Sequence, residues 1–346
     1  MTLTDALRSR AAEALDVRRA ARSSRVSGLV LLVMAVVLAA LPYLVFSTVT
    51  DTLVNLFVLI ALASMWNLLA GFGGLVSVGQ QAYIGIGAYS VIALADQGVQ
   101  PYLAVPLAAV TCAIFALPTS WLAFRLRGDY FAVGTWVIAE VYRLIVVRID
   151  SLGGGSGKGL TGLAGIDQAV RGALTYWVAL ALALASIGAA YLLLRGRLGL
   201  ALMAVRDEET AANAVGVDVG RAKRLVYLVS AAGCGAAGGV ITVSSLSVNP
   251  DAIFSVQWSA YMIFIVVIGG IGYIEGPLLG GIVFFALQQL LSDYGSWYLV
   301  VLGAIGMAVA LWLPRGLWGL VRDRTSVSLF PVGYFVRTDS TGVRAR

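Results

Sequence analysis

Residues 195–224 read RGRLGLALMAVRDEETAANAVGVDVGRAKR, the long polar interruption in the middle of an otherwise apolar chain. Six basic residues (Arg195, Arg197, Arg206, Arg221, Lys223, Arg224) and four acids (Asp207, Glu208, Glu209, Asp218) sit in it. One apolar run enters it and another leaves it. Such a segment is a loop between membrane-spanning helices: the hydrocarbon core is about 30 Å thick and a helix rises about 1.5 Å per residue, so about 20 apolar residues cross it. Within the loop, Asp207 is placed to cap a short helix over 208–215, and Glu208 and Glu209 favour the same dipole end. Gly216 ends that helix as a left-handed residue, and Asp218 caps the next span. Ala211, Ala212 and Val215 then form a small apolar face. Two readings stay open at this point: a docking face for a separate motor protein, and a plain amphipathic surface helix.

The rest of the chain fits that frame. It is 60% hydrophobic and 12% charged, with a mean hydropathy of +0.89, where a soluble domain carries about 25% charged residues. Repeated long apolar runs predict an all-α polytopic membrane protein; a β-barrel would alternate polar and apolar residues. The net charge of +6 is explained by basic residues at span ends, which set orientation, rather than by nucleic acid. The chain has no histidine, which removes histidine bases, histidine metal ligands and most catalytic triads. Cys112 and Cys234 lie in separate apolar runs, so neither a disulfide nor a metal site is expected.

The hydropathy pattern predicts ten spans, over 27–46, 52–70, 75–95, 102–124, 130–147, 173–194, 225–248, 258–274, 277–291 and 297–313. A basic arm (1–26), free of a cleavage signal after the first apolar run, precedes this membrane domain (27–314), and a tail (315–346) follows it. The ten-span arrangement puts 20 of the 24 Lys and Arg on one side. They are Arg8, Arg10, Arg18, Arg19, Arg22 and Arg25 in the arm, Arg125 and Arg127, the six of the central loop, and Arg315, Arg322, Arg324, Arg337, Arg344 and Arg346 in the tail. The positive-inside rule then makes both termini and the 195–224 loop cytoplasmic and the 149–172 loop periplasmic.

Two segments make poor lipid-facing helices. Residues 71–89 read GFGGLVSVGQQAYIGIGAY, and 269–281 read GGIGYIEGPLLGG. Broken glycine-rich backbone survives at membrane depth only where it is buried in protein or lines a cavity. The two are faintly alike, as an internal repeat would be. In the first, Ser77, Gln80, Gln81 and Tyr83 offer polar groups to a solute in transit or, alternatively, hydrogen bonds between helices. Glu140 and Arg143, spaced i,i+3, share a helix face; a structural pair is favoured over a substrate site. Glu275 is expected at the cytoplasmic surface of a hairpin, against a partner chain. Gly235 and Gly239 form a small-xxx-small pair suited to close helix contact. The outer loop, with SLGGGSGKGLTGLAG, reads as polar and flexible. Its glycines are too closely spaced for a phosphate loop, and Gly159 replaces the required Ser or Thr.

Glu209-Thr210-Ala211-Ala212 through Gly216 resembles the Glu-Ala-Ala…Gly loop of ABC importer permeases, with one residue inserted. The longer blocks GFGGLVSVGQQAYIGIGAY, AEVYRL, RLGLALMAVRDEETAANAVGVDVGRAK and VIGGIGYIEGPLLGG, in this order along the chain, resemble the permeases of the branched-chain amino acid importer, of the LivM type. The resemblance runs over about 55–314. It implies a permease subunit in a bacterial inner membrane that binds no cofactor of its own. Its partners would be a homologous permease, two cytoplasmic ATPases that hold ATP and Mg, a periplasmic binding protein and membrane lipid. Arg206, Asp207, Glu208, Glu209, Ala211, Ala212 and Gly216 would couple it to the ATPases. Gln81 and the GGGSGKG loop depart from the family's usual residues, and close relatives carry urea, short amides or aromatic acids. A self-contained carrier is the rival reading, since such carriers place an acid at mid-membrane and Glu140 is a candidate. A membrane enzyme is disfavoured by the lack of histidine and of acidic clusters.

Overall fold

Uncharged apolar runs fold as helices because a backbone in hydrocarbon must satisfy its own hydrogen bonds. The computed structural model describes residues 16–18, 33–44, 47–126, 128–163, 165–291, 297–325, 329–330 and 335–337. Most of the arm expected over 1–26, with Arg8, Arg10, Arg19, Arg22 and Arg25, lies outside the described residues, as do Arg127, Arg344 and Arg346. In chain order the helices are α1 (Val33–Tyr43), α2 (Ser47–Asn67), α3 (Gln81–Asp96), α4 (Pro101–Ala123), α5 (Asp129–Val147) and α6 (Gln168–Arg195). There follow α7 (Arg197–Asp207), α8 (Glu209–Ala214), α9 (Val219–Ser245), α10 (Gln257–Gly269), α11 (Gly276–Leu291), α12 (Trp297–Trp312) and α13 (Gly316–Thr325). Short helical turns, among them Pro250–Ile253, Asp150–Leu152 and Gly154–Ser156, lie between these helices, with two short antiparallel strand pairs, Lys158–Gly159 with Ser247–Val248 and Asp16–Arg18 with Phe335–Arg337.

Among the described residues, six helical stretches are long and apolar enough to cross a membrane: Thr48–Phe72, Pro101–Ala123, Asp129–Val147, Gln168–Arg195, Val219–Ser245 and Pro250–Gly269. A seventh forms if Val300–Trp312 and Gly316–Arg324 are joined across their 43° bend. The runs expected as spans over 27–46, 75–95 and 277–291 contain the shorter helices α1, α3 and α11. Helix α3 is short because the chain ahead of it, through 74–80, is not helical. The last expected span, 297–313, coincides with α12, which ends at Trp312; the chain then turns at Gly316 (φ +64°) into the separate, more polar α13.

A helix apolar on all sides belongs inside the others. That is the position of α2: 83% of its apolar window is buried, against 22% for α5 at the rim. On α4, Leu103, Leu107, Val110, Ile114, Leu117 and Trp121 form an exposed stripe at helical spacing. So continuous an apolar face needs lipid or a partner span to cover it. Helix α9 packs on α3 and α4 through glycine. A Cβ on Gly238 would stand 1.9 Å from the Ile84 carbonyl oxygen, and one on Gly87 would stand 2.0 Å from that of Gly235. The expected contact role of Gly235 and Gly239 holds: added Cβ atoms there would meet Cys112 Sγ at 2.3 Å and Val91 at 3.1 Å.

Candidate functional site

The two glycine-rich segments break as their composition demands, and they break against each other. Helix α2 runs through a π turn, Leu68–Phe72, and then leaves helical geometry. Helix α10 stops at Gly269, and the chain turns through Gly270 (φ +122°) and Gly272 (φ +77°) before α11 begins. Asn67, buried in the apolar run of α2, holds the two together. Its Nδ2 donates to the Tyr273 carbonyl (2.8 Å), and its Oδ1 accepts the Gly272 N–H (2.9 Å). The contact admits no side chain at Gly71, where a Cβ would stand 2.7 Å from the Gly272 nitrogen.

The non-helical stretch at 74–80 stays in the core by borrowing partners from its neighbours. Trp66 Nε1 donates to the Ser77 carbonyl (2.8 Å), and the Val78 N–H donates to Thr135 Oγ1 of α5 (3.2 Å). Ser259 Oγ of α10 donates to the Val78 carbonyl (3.2 Å) and to Gln81 Oε1. Ser77, Gln80, Gln81 and Tyr83 are all fully buried. Ser77, through its carbonyl, and Gln81 bind elements together; the Ser77 hydroxyl accepts the Gly79 N–H locally (3.2 Å), and Tyr83 is hydrogen-bonded to the Tyr227 hydroxyl at 2.9 Å. Gln80 differs: neither polar atom of its amide has a partner among the described residues.

The loop at 195–224 is two helices rather than one. The stretch 197–207, read as a loop from its charges, forms α7 and buries Gly199, Leu202 and Val205. Asp207 is therefore the last residue of α7 and not the cap of α8. Glu208 takes the cap position with extended backbone (φ −157°, ψ 109°), and its carboxylate accepts from the Thr210 hydroxyl. Gly216 is left-handed (φ +86°), and Asp218 caps α9 by accepting the Arg221 N–H (3.0 Å), both as expected. Ala212 does not belong to an outward face; it is buried, while Ala211 and Val215 are exposed. Glu209 pairs with Lys223 (2.5 Å) and ties α8 to α9. Arg206 reaches back into the bundle, where its Nη1 donates to the Gly71 carbonyl (2.9 Å) at the end of the π turn.

Glu140 and Arg143 lie apart from the Gln80 region. Glu140 is five residues beyond Thr135, about 7.5 Å along α5 at the helical rise of 1.5 Å per residue. Arg143 Nε donates to Glu140 Oε1 (2.9 Å), and its Nη1 donates to Asp251 Oδ1 (2.6 Å). The pair is thus a triad that fastens α5 to the turn Pro250–Ile253. Asp251 was not anticipated, since its partner is distant in sequence. Glu275 faces this chain's own tail instead of a partner: it is buried, and its carboxylate accepts the Leu329 and Phe330 N–H groups at 2.9 and 3.0 Å. The loop at 149–172 is not slack. Lys158 Nζ reaches Asp96 Oδ2 (2.6 Å) and the Ser151 carbonyl (2.7 Å), and the 158–159 strand pairs with 247–248. Asn67 was also missed; a lone amide at the end of an apolar run was the signal.

Helices of membrane-crossing length around two interlocked broken segments, with a folded polar loop between them, define a multi-pass membrane permease. The chain belongs to the family described as the permease component of the branched-chain amino acid transport system, which it matches over residues 48–310. It is 27% identical over 323 residues to the high-affinity branched-chain amino acid transport system permease protein LivM of Salmonella typhimurium, covering 86% of this chain and 76% of that protein. The LivM of Escherichia coli matches over the same shares. The fructose import permease protein FruG of Bifidobacterium longum is 27% identical over 284 residues, 77% of this chain and 82% of its own length. No solved structure matches the chain. As a member of this family the chain is a permease component of an ABC transport system and not an enzyme.

Proposed function

We propose that the chain is the membrane subunit through which an ATP-driven importer passes branched-chain amino acids or similar small amino acids. The observation that carries the coupling part of this reading is α8. It is fixed from inside by buried Ala212 and by the Glu209–Lys223 pair, and it presents exposed Ala211 and Val215 outward. A short rigid helix with an apolar outer face suits docking on a moving partner better than a surface helix that only floats on lipid. Arg206, Asp207, Glu208 and Gly216 frame that helix. The partners are a homologous permease, two ATPases that hold Mg-ATP, and a binding protein. The six long helices, the bent pair, and the short α1, α3 and α11 make ten membrane segments. With basic residues concentrated beside α8, both ends of the chain lie on the cytoplasmic side.

Motion of α8 would switch the bundle between two arrangements that the motor contacts differently. Gln80 is the pathway residue favoured by the geometry, because its fully buried amide has no partner among the described residues. The LivM relatives support amino acids as cargo. The FruG relative, named for fructose import, supports a second reading in which the same architecture takes a different small polar solute, and the binding protein selects it. Urea, short amides and aromatic acids belong to the same second reading.

Replacing Val215 with Asp sets a charge on the proposed docking face without touching the internal ties of α8. The expected result is retained permease folding with loss of ATPase subunits from the purified complex and loss of ATP-driven uptake. Full uptake and full co-purification by the V215D protein would remove the docking role.

A further inference from the structure

Arg206 and Asn67 meet at one place. The Arg206 guanidinium donates to the Gly71 carbonyl, and a Cβ on Gly272 would stand 3.1 Å from its Nη1 and 3.3 Å from that same Gly71 oxygen. Asn67 crosses the same junction with both polar atoms of its amide, one to Tyr273 and one to Gly272. Gly71 lies in the π turn Leu68–Phe72 that closes the C-terminal end of α2, where carbonyls lack helical partners and the helix dipole is negative, so a cation is the favoured donor. The backbone around Arg206 also lies close, with its Cα 3.6 Å from where a Cβ on Gly74 would be. Three segments remote in sequence are therefore tied at one point: the end of α2, the turn between α10 and α11, and α7.

We propose that this Arg206–Gly71–Asn67–Gly272 junction is a clasp that makes the motor-facing loop and both broken segments move as one body. This rests on the coupling reading of α8 given above. Arg206 is a positioning residue in the clasp: it joins α7, which leads directly into α8, to the backbone of the first break. Asn67 passes the displacement to the second break. Without the clasp, α7 and α8 move while the breaks stay where the rest of the bundle holds them, and ATP is spent without opening the path.

The test uses the complete transporter in vesicles, with partner permease, ATPases and binding protein, and reads solute taken up per ATP hydrolysed. Arg206→Ala is expected to lower that ratio about tenfold, within the usual range of coupling between sites. Arg206→Lys, which keeps one charged donor for Gly71, is expected to restore most of it. Asn67→Ala is expected to act in the same direction. The double variant should be no worse than the worse single one, because both open the same clasp. Thermal unfolding and subunit co-purification of each variant separate coupling from folding. An unchanged ratio in R206A, or losses that multiply in the double variant, would overturn the clasp. Failure of both R206A and R206K to assemble would also overturn it, by making Arg206 a folding residue. If V215D uncouples the transporter while R206A does not, the clasp alone is lost; uptake without any ATPase would sink the parent reading instead.

Discussion

At the scale of single residues, what matters at several glycines is the group standing where a side chain would go. A Cβ on Gly238 would lie 1.9 Å from the Ile84 carbonyl oxygen, and backbone cannot yield there without parting α9 from α3. Nothing stands within 4 Å of a Cβ at Gly188 in α6. Gly238→Val should therefore abolish the folded protein in detergent, while Gly188→Ala should leave it folded and stabilise α6 by about 0.5–1 kcal/mol from helix propensity. Size-exclusion profiles and thermal unfolding of the two variants check this; equal behaviour would contradict the packing described. The sequence displayed Gly235 and Gly239 through their spacing, but not Gly238 or Gly87. Their contacts depend on which helices become neighbours, and spacing along one helix does not carry that. Asn67 and Asp251 were hidden for the same reason, because each finds its partners far away in the chain.

Elements were more legible than contacts. Apolar runs announce helices since hydrocarbon leaves the backbone no other partner, and the glycine-rich breaks announced themselves by composition. Helix α7 was missed although Leu198, Leu202 and Val205 follow helical spacing, because charges at both ends made the stretch read as a loop. That error moved the cap of α8 from Glu208 to Asp207. The outer loop was misread in the opposite sense. Its glycines suggested slack, yet Gly153 and Gly157 take left-handed turns (φ +91° and +81°) that fold it onto the bundle, and Lys158 pins it to Asp96. Lys158→Ala should speed proteolysis and hydrogen exchange in 150–163. An ion pair of this partly exposed kind is worth about 0–1 kcal/mol, so the bundle's thermal unfolding should hardly move. Unchanged loop exchange in that variant would show that the glycine turns and the strand pairing alone hold the loop.

For the whole molecule, the class was readable from hydropathy and the family from blocks of sequence. Length alone does not make spans of α1, α3 and α11; they are too short to cross by themselves, and two of them adjoin the breaks. A bundle whose central helix is interrupted and cross-tied to a second interruption has a natural place to change shape. Two of its acids, in contrast, are already engaged: Glu140 with Arg143, and Glu275 with the tail. Those pairings leave little for an ion gradient to act on at Glu140, which weakens the self-contained carrier as an account. The direct measurement is solute accumulation in vesicles holding the two permeases, with and without the ATPase subunits and ATP, the binding protein being present throughout. The account predicts accumulation above the outside concentration only when ATPases and ATP are both supplied. Accumulation by the permeases alone would contradict it.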